Sequence, residues 1–358
     1  MAEKINILVT GVGGPTPRSF VRSVLDSGTD RYRFIGVDAN PLAIGLYDKF
    51  SYSYTYLVPR ANDECYWSKI SQIIDLHQIK FAVVLPEVEV VAWSKRKDQE
   101  GLPCKTFISS SQPTEALIDK KTLHKVLEDK PYIPRYSTFL NGSKSNDLTL
   151  GYPFWVRGTV GSSGLGSLKI TSKKELEEWM RINPLIEEFI ASEFLPGRNL
   201  ACKVIYMDGK MLRSACAERV TYIMSKVAPS GITGNTAFGR MINDPKLVKI
   251  ADEAISYFFN QYHSKANGVF TVDFKEDAQG NPMITEINVR FVAFVSSLAK
   301  AGANLPLDYL EANLNSEHFS HTYKHYEFPQ GTIFLRDVDE KPVVMNEKDL
   351  LTMGPSHA

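Results

Sequence analysis

Through residues 1–110 short apolar runs alternate with stretches of helical periodicity: INILVTGVGG, PRSFVRSVLDSG, RFIGVDAN, WSKISQIIDLHQ, FAVVLPEVEV and KTFISS. Parallel strands need a crossover of about ten residues or more between them, so apolar runs separated by helices predict βαβ units and a small doubly wound α/β domain. Ligands of such sheets sit outside the carboxyl ends of the strands. That places the ligand edge near Gly11 to Thr16 and near Pro86 to Glu89.

The pattern changes at residue 111. SQPTEALIDKKTLHKVLEDKPYIPRYSTF predicts a helix ending before Pro131 and Pro134, then the strand YPFWVR, a glycine and serine loop, the strand GSLKIT and the helix SKKELEEWMRI. Ser172 with Glu175 three residues on has the capping-box spacing for the start of that helix. From residue 186 strands dominate, with a hairpin signal at Asp208 and Gly209, a helix near 245–262, and a second hairpin in GVFTVDFKEDAQGNPMITEINVRF. LPLDYLEANL closes as a helix. The expected divisions are 1–110, 111–185, 186–330 and a C-terminal segment 331–358, with no internal repeat.

At 358 residues the chain is long enough for two or three lobes sharing a cleft, and 43% hydrophobic with 23% charged residues are ordinary globular proportions. Lys plus Arg and Asp plus Glu both number 41. That balance excludes the basic excess of a dedicated nucleic-acid binder. Cys65, Cys104, Cys202 and Cys216 form no CxxC pair and read as reduced thiols of a cytoplasmic protein. No run of 18 apolar residues predicts a membrane span, MAEKINILVTGVGG lacks the pattern of a signal peptide, and GPSHA at the end carries no structural signal.

Three stretches carry candidate chemistry. TGVGGPTP follows the first strand, and Asp38 ends the next, which invites a dinucleotide-binding reading. The third glycine position is Thr16, however, and Pro15 and Pro17 are expected to disturb the helix start that should face a pyrophosphate. Glycines serving a tight turn explain the stretch at least as well. RGTVGSSGLGS, residues 157–167, places four glycines and three serines between two strands. Its backbone N–H groups can converge on an anion beside Arg157, or the loop is a flexible connection without a ligand; the two readings stand level. In MITEINVR, Glu286, Asn288 and Arg290 alternate, and a turn at DAQGNP folds Asp273 back against them. Two carboxylates and an amide oxygen are hard donors of the kind Mg²⁺ accepts, whereas a merely wet face would carry Lys, Thr and Glu.

Taken in order, these segments resemble the ATP-grasp superfamily, in its carbamoyl-phosphate-synthetase-like branch. The carriers are ILVTGVGGPTPRSFVRSV, DKKTLHKVLEDKPYIPRYSTF, YPFWVRGTVGSSGLGSLKITSKKEL, ASEFLPGRNLACKVIYMDGK and GVFTVDFKEDAQGNPMITEINVRF, which together reach to about residue 315. The resemblance implies an ATP-grasp fold, α/β and α+β, with an amino-terminal doubly wound domain and two α+β lobes enclosing ATP. By position it gives Lys120 and Arg157 to the ATP phosphates, with Gly161, Ser162, Ser163 and Gly164 in a loop closing over them. Glu193, Phe194 and Leu195 would bracket adenine. Asp273, Glu286 and Asn288 match the Mg²⁺ ligands, and Arg290 the residue that steadies the transferred phosphoryl group.

Two departures stand out. Asn199 occupies the place of an acid that often binds ribose, and EINVR replaces EINPR. The implied activity is an ATP-dependent carboxylate-amine ligase acting on small molecules. An enzyme that phosphorylates bicarbonate is the alternative within the superfamily. A nucleotide-binding module without catalysis and an NAD-dependent oxidoreductase are the alternatives outside it. Arg18 and Arg219 could grip a substrate carboxylate or form surface ion pairs. Homodimers are common in the superfamily, and nothing in this chain marks an interface.

Overall fold

The computed structural model describes residues 4–143, 148–161, 164, 166–314, 319–337 and 343–349. Ile5–Thr10 forms the centre of a parallel sheet whose order is Tyr54–Leu57, Tyr32–Asp38, Ile5–Thr10, Phe81–Val83, Lys105–Thr106. Ile7, Leu8 and Val9 are all 0% exposed, as a parallel strand covered on both faces requires. The order reverses between Ile5–Thr10 and Phe81–Val83, and a crevice opens where their chains diverge. Gly11 (φ 66°) and Pro86 face each other there, so closely that a Cβ on Gly11 would lie 2.3 Å from Pro86 Cγ.

The helix Pro15–Leu25 begins at Pro15 itself, with Gly14 as its cap. The two prolines were expected to disturb this start. They do not, because the first turn of a helix has N–H groups with no partner inside the helix, and proline's fixed φ suits that position. Asp38 accepts from the Gly13 and Asn40 amides at 2.8 Å each. Its carboxylate holds the turn together, as expected of a structural loop.

An antiparallel four-stranded sheet follows in the order Tyr136–Leu140, Glu188–Glu193, Phe154–Gly158, Leu168–Ile170. The helix Lys173–Ile182 packs on it through Leu176, Trp179 and Met180, in a core shared with Phe139, Phe154 and Phe189. Ser172 caps that helix by accepting from the Glu175 amide at 3.3 Å, but Glu175 turns back to Thr171 N and Oγ1, both at 2.7 Å. The single helix expected after residue 111 is two, Ser111–Ile118 and Lys120–Val126. Asp119 makes the break: its backbone is extended, and its side chain caps the second helix from the Lys121 amide at 2.9 Å.

The largest sheet has eight strands, in the order Pro282–Asn288, Gly268–Glu276, Asn199–Met207, Lys210–Tyr222, Thr236–Ile242, Thr332–Leu335, Val343–Asn346, with Lys324–His325 beside Lys210–Tyr222. Positive φ at Asp208 (50°) and Gly209 (80°) forms the tight turn read from the sequence. One face of this sheet shares a core with the helices Pro245–Gln261, Tyr66–Leu76 and Glu87–Gln99, and the other with Pro15–Leu25, Val295–Lys300 and Leu305–Asn313. Both large cores therefore join the first and third sheets, while the four-stranded sheet keeps its own.

Candidate active site

Charged residues gather on the hairpin of Gly268–Glu276 and Pro282–Asn288. Asp273 stands directly opposite Glu286, and Thr271 opposite Asn288. Alternation by two then puts both carboxylates and the amide on one face. The Asn288 amide nitrogen donates to Asp273 Oδ2 at 3.2 Å and to Glu286 Oε1 at 3.1 Å. The ladder is irregular between Asp273 and Phe274, leaving Thr285 without an opposite residue. Such a bulge frees a carbonyl from the ladder, and Arg157 Nη2 donates to the Thr285 carbonyl. That bond brings the Arg157 guanidinium, rooted in the four-stranded sheet, to 3.7 Å from Glu286 Oε2.

Lys120 arrives from a third direction, as the first residue of the helix that Asp119 caps. Its Nζ donates to the Gly161 carbonyl at 2.7 Å and stands 3.9 Å from Glu286 Oε2. Burial lowers the pKa of both Lys120 and Arg157. Burial also pushes the Glu286 carboxyl up, but Lys120, Arg157 and the Asn288 amide outweigh it and hold the group at about 2. Asp273 has a different partner: its Oδ1 accepts from Arg219 Nη2 at 2.5 Å, with the two side chains only 11% and 9% exposed. Burial lifts the Asp273 carboxyl to about 6, Arg219 opposing the rise and Glu286 adding to it. Lys203, fully buried nearby, points its Nζ at the Phe294 ring 3.1 Å away, and burial with Arg219 pushes its pKa well down.

Two cavities meet at these residues. One, of about 570 Å³, lies between the four-stranded and eight-stranded sheets, with Asp273 and Glu286 at one end and Glu193 to Leu195 in its wall. The other, of about 650 Å³, lies between the eight-stranded and parallel sheets and is lined by Pro86, Glu87, Asn288 and Arg290 together with the same Asp273 and Glu286. Arg290 sits just past the end of its strand, its Nη2 3.5 Å from Glu87 Oε2.

No protein-family model and no curated protein matches this sequence. Solved structures match its fold. An L-amino acid ligase from Bacillus licheniformis superposes with a TM-score of 0.66 at 16% identity, over 93% of this chain and 79% of that one. An N5-carboxyaminoimidazole synthetase from Staphylococcus aureus complexed with ADP gives 0.69 at 16% identity, over 93% and 83%. A phosphoribosylamine–glycine ligase from Thermotoga maritima gives 0.67 at 14% identity, over 92% and 80%. The chain has the ATP-grasp fold.

Within this ATP-grasp fold most residues singled out in the sequence converge. Lys120, Arg157, Gly161, Gly164 and Asn199 line the first cavity with Glu193, Phe194 and Leu195. Ser162 and Ser163 lie outside the described residues. Gly164 (φ 72°) passes so near the strand-linking loop that a Cβ would come 2.5 Å from the Ile232 carbonyl, which fixes glycine there. Arg290 lines the second cavity and not the first.

Two of the predicted residues are engaged within the protein. The Glu193 carboxylate is already held by Arg135, at 2.9 Å from the amide and 3.0 Å from Nε, which leaves the backbone of this segment for any ligand. Arg219 is no surface pair, since Asp273 holds it in the interior, where it lines both cavities. Sequence reasoning missed this pair because the partners are 54 positions apart, on strands separated by Asn199–Met207. It also missed Lys169, whose ammonium lies 4.0 Å from the Phe194 ring centre in the first cavity. Its alternation with buried Ile170 in GSLKIT was the available signal.

Proposed function

We propose that the protein is an ATP-dependent carboxylate-amine ligase that joins two small molecules through an acyl phosphate. The junction carries this reading: Asp273 and Glu286 line both cavities at once, so a nucleotide in the first would present its terminal phosphate to an acceptor in the second. The neighbours' own names, an L-amino acid ligase and a glycine ligase among them, support it.

Asp273, Glu286 and Asn288 fit Mg²⁺. Among the described residues no three His, Cys, Asp or Glu side chains converge on a metal position. Two carboxylates and an amide oxygen leave octahedral positions for phosphates and water, which is how Mg²⁺ is commonly bound. The Asn288 amide must turn over for this, so that Oδ1 and not Nδ2 faces the carboxylates. When bound, Mg²⁺ supplies neutralisation of the charge between the β- and γ-phosphates.

The chain's own residues do the rest by position and charge. Lys120 and Arg157, already drawn together by Glu286, exchange part of that contact for phosphate oxygens. The backbone of Glu193 to Leu195 brackets adenine, and Asn199 faces the ribose. An acceptor carboxylate oxygen attacks the γ-phosphorus and ADP leaves. The amine then attacks the acyl-phosphate carbonyl, inorganic phosphate leaves and the amine gives up a proton. Arg290 holds the transferred phosphoryl oxygens through both steps, while the loop from Thr159 to Ser167 excludes water that would hydrolyse the intermediate.

Coupled ADP release with ATP and Mg²⁺, across a matrix of paired amino acids, other small carboxylates and bicarbonate, tests the proposal. The ligase reading expects release that requires one carboxylate and one amine together. Release with bicarbonate alone would replace it by the bicarbonate-phosphorylating alternative, and ATP binding without turnover by a nucleotide sensor.

A further inference from the structure

A third cavity, of about 620 Å³, adjoins the second and shares Pro15 and Asn235 with it. Its liners include Arg18, Arg22 and Arg336 against one acid, Asp337. Arg18 and Arg22 are four apart on the helix Pro15–Leu25, a spacing at which like charges stand over one another and repel. Arg336 comes from the far side, at the end of the strand Thr332–Leu335. Burial, with Arg18 beside it, pushes the Arg336 guanidinium down to about 10. Its Nη1 reaches only a carbonyl, that of Thr236 at 2.9 Å, and the Arg18 Nε is buried without a hydrogen-bond partner. Among the described residues none of Arg18, Arg22 and Arg336 makes an ion pair with an acid, while Lys120, Arg157, Arg219 and Arg290 each do.

Three guanidinium groups brought together without acids in contact range are destabilising unless something else neutralises them, and planar forks of donors match carboxylate and phosphate oxygens. We propose that Arg18, Arg22 and Arg336 form an anion subsite that binds a carboxylate or phosphate group of one substrate, remote from the carboxylate that is activated. The two cavities share Pro15 and Asn235 in their walls, and on this proposal one molecule reaches from Arg290 to the subsite. The subsite deepens the ligase reading and rests on it for the identity of the molecule, though not for anion binding itself. Its consequence is a substrate with two anionic groups.

Calorimetric titration with inorganic phosphate and with glutarate, on the wild type and on the double variant Arg18→Gln/Arg22→Gln, tests it, with ADP titrated as a control. The expected result is binding of at least one probe by the wild type, weakened tenfold or more in the double variant, with ADP affinity unchanged. Preference for phosphate or for glutarate tells which anionic group the substrate carries. Arg22→Lys, which keeps the charge but loses the fork, and the single Arg22→Gln serve if the double variant no longer binds ADP; each should weaken the same probe threefold or more. No binding of either probe to the wild type, or equal binding by the variants, overturns the subsite. Probe binding that persists while no carboxylate and amine pair releases ADP would sink the ligase reading and leave the subsite standing.

Discussion

Two groups of basic residues lie on neighbouring cavities, and the fold treats them in opposite ways. Around the hairpin, Lys120 and Arg157 converge on Glu286, Arg219 is held by Asp273, and Arg290 faces Glu87. Beside it, Arg18, Arg22 and Arg336 share a cavity and no ion pair among the described residues. A buried ion pair satisfies its own charges and must be partly undone before it can hold a ligand, whereas an unpaired cluster is stabilised only when the ligand arrives. The first arrangement suits a site that holds its geometry through a reaction; the second suits recognition.

Glu286 gives the largest expected break in this contrast. Glu286→Ala removes the carboxylate that Lys120 and Arg157 share, and ADP release should fall by about 10²–10³-fold, the usual cost of losing one preorganised electrostatic group. Its side chain is 32% exposed, but Lys120 and Arg157 are only 8% and 12% exposed and lose their shared acid, so denaturant unfolding of the variant accompanies the assay. Turnover near that of the wild type would remove Glu286 from the chemistry.

Arg219→Met is next, and acts on stability. It leaves Asp273 buried and uncompensated, which destabilises by about 3–5 kcal/mol. Adding Asp273→Asn should restore part of the loss, and denaturant unfolding of the single and double variants measures both. Equal stability of Arg219→Met and wild type would mean that the pair holds nothing together.

Glu89 extends the comparison to a buried acid with no cation. Tyr66 Oη donates to its Oε2 at 2.6 Å. Burial raises its carboxyl from 4.5 to about 7, the Tyr66 and Thr10 hydroxyls opposing the rise. The folded form therefore holds this proton more tightly than the unfolded chain. Its stabilisation is complete below pH 4.5 and is lost as pH rises to 7, by about 3 kcal/mol in all. Glu89→Gln should remove that slope in unfolding experiments at pH 5 and pH 8; an unchanged slope would show that the carboxylate is ionised in the fold. The smallest expected effect is that of Arg22→Met, which relieves a like-charge pair and should leave stability within about 0.5 kcal/mol of wild type or slightly above it.

The hairpin was legible in the sequence because its signals are local. A turn at DAQGNP between two alternating strands is enough to set Asp273 against Glu286. The parallel order and its crevice at Gly11 and Pro86 follow as directly from apolar runs spaced by helices. What could not be read depends on contacts that sequence distance hides. The Thr285 bulge that anchors Arg157, the hold of Arg135 on Glu193, and the union of Arg336 with Arg18 and Arg22 each join separate sheets or distant strands. The split at Asp119 was local but ambiguous, since a capping aspartate inside a helical period looks like a helix interior until its backbone is seen to be extended.

On the proposed function, the hairpin face would hold the metal-bound phosphates of ATP. Calorimetric titration of a non-hydrolysable ATP analogue into wild type and Glu286→Gln, with and without Mg²⁺, tests it most directly. Mg²⁺ should tighten binding to the wild type by tenfold or more and have little effect on the variant, which still binds the analogue weakly. The same affinity in all four titrations, or no binding in any, would contradict it.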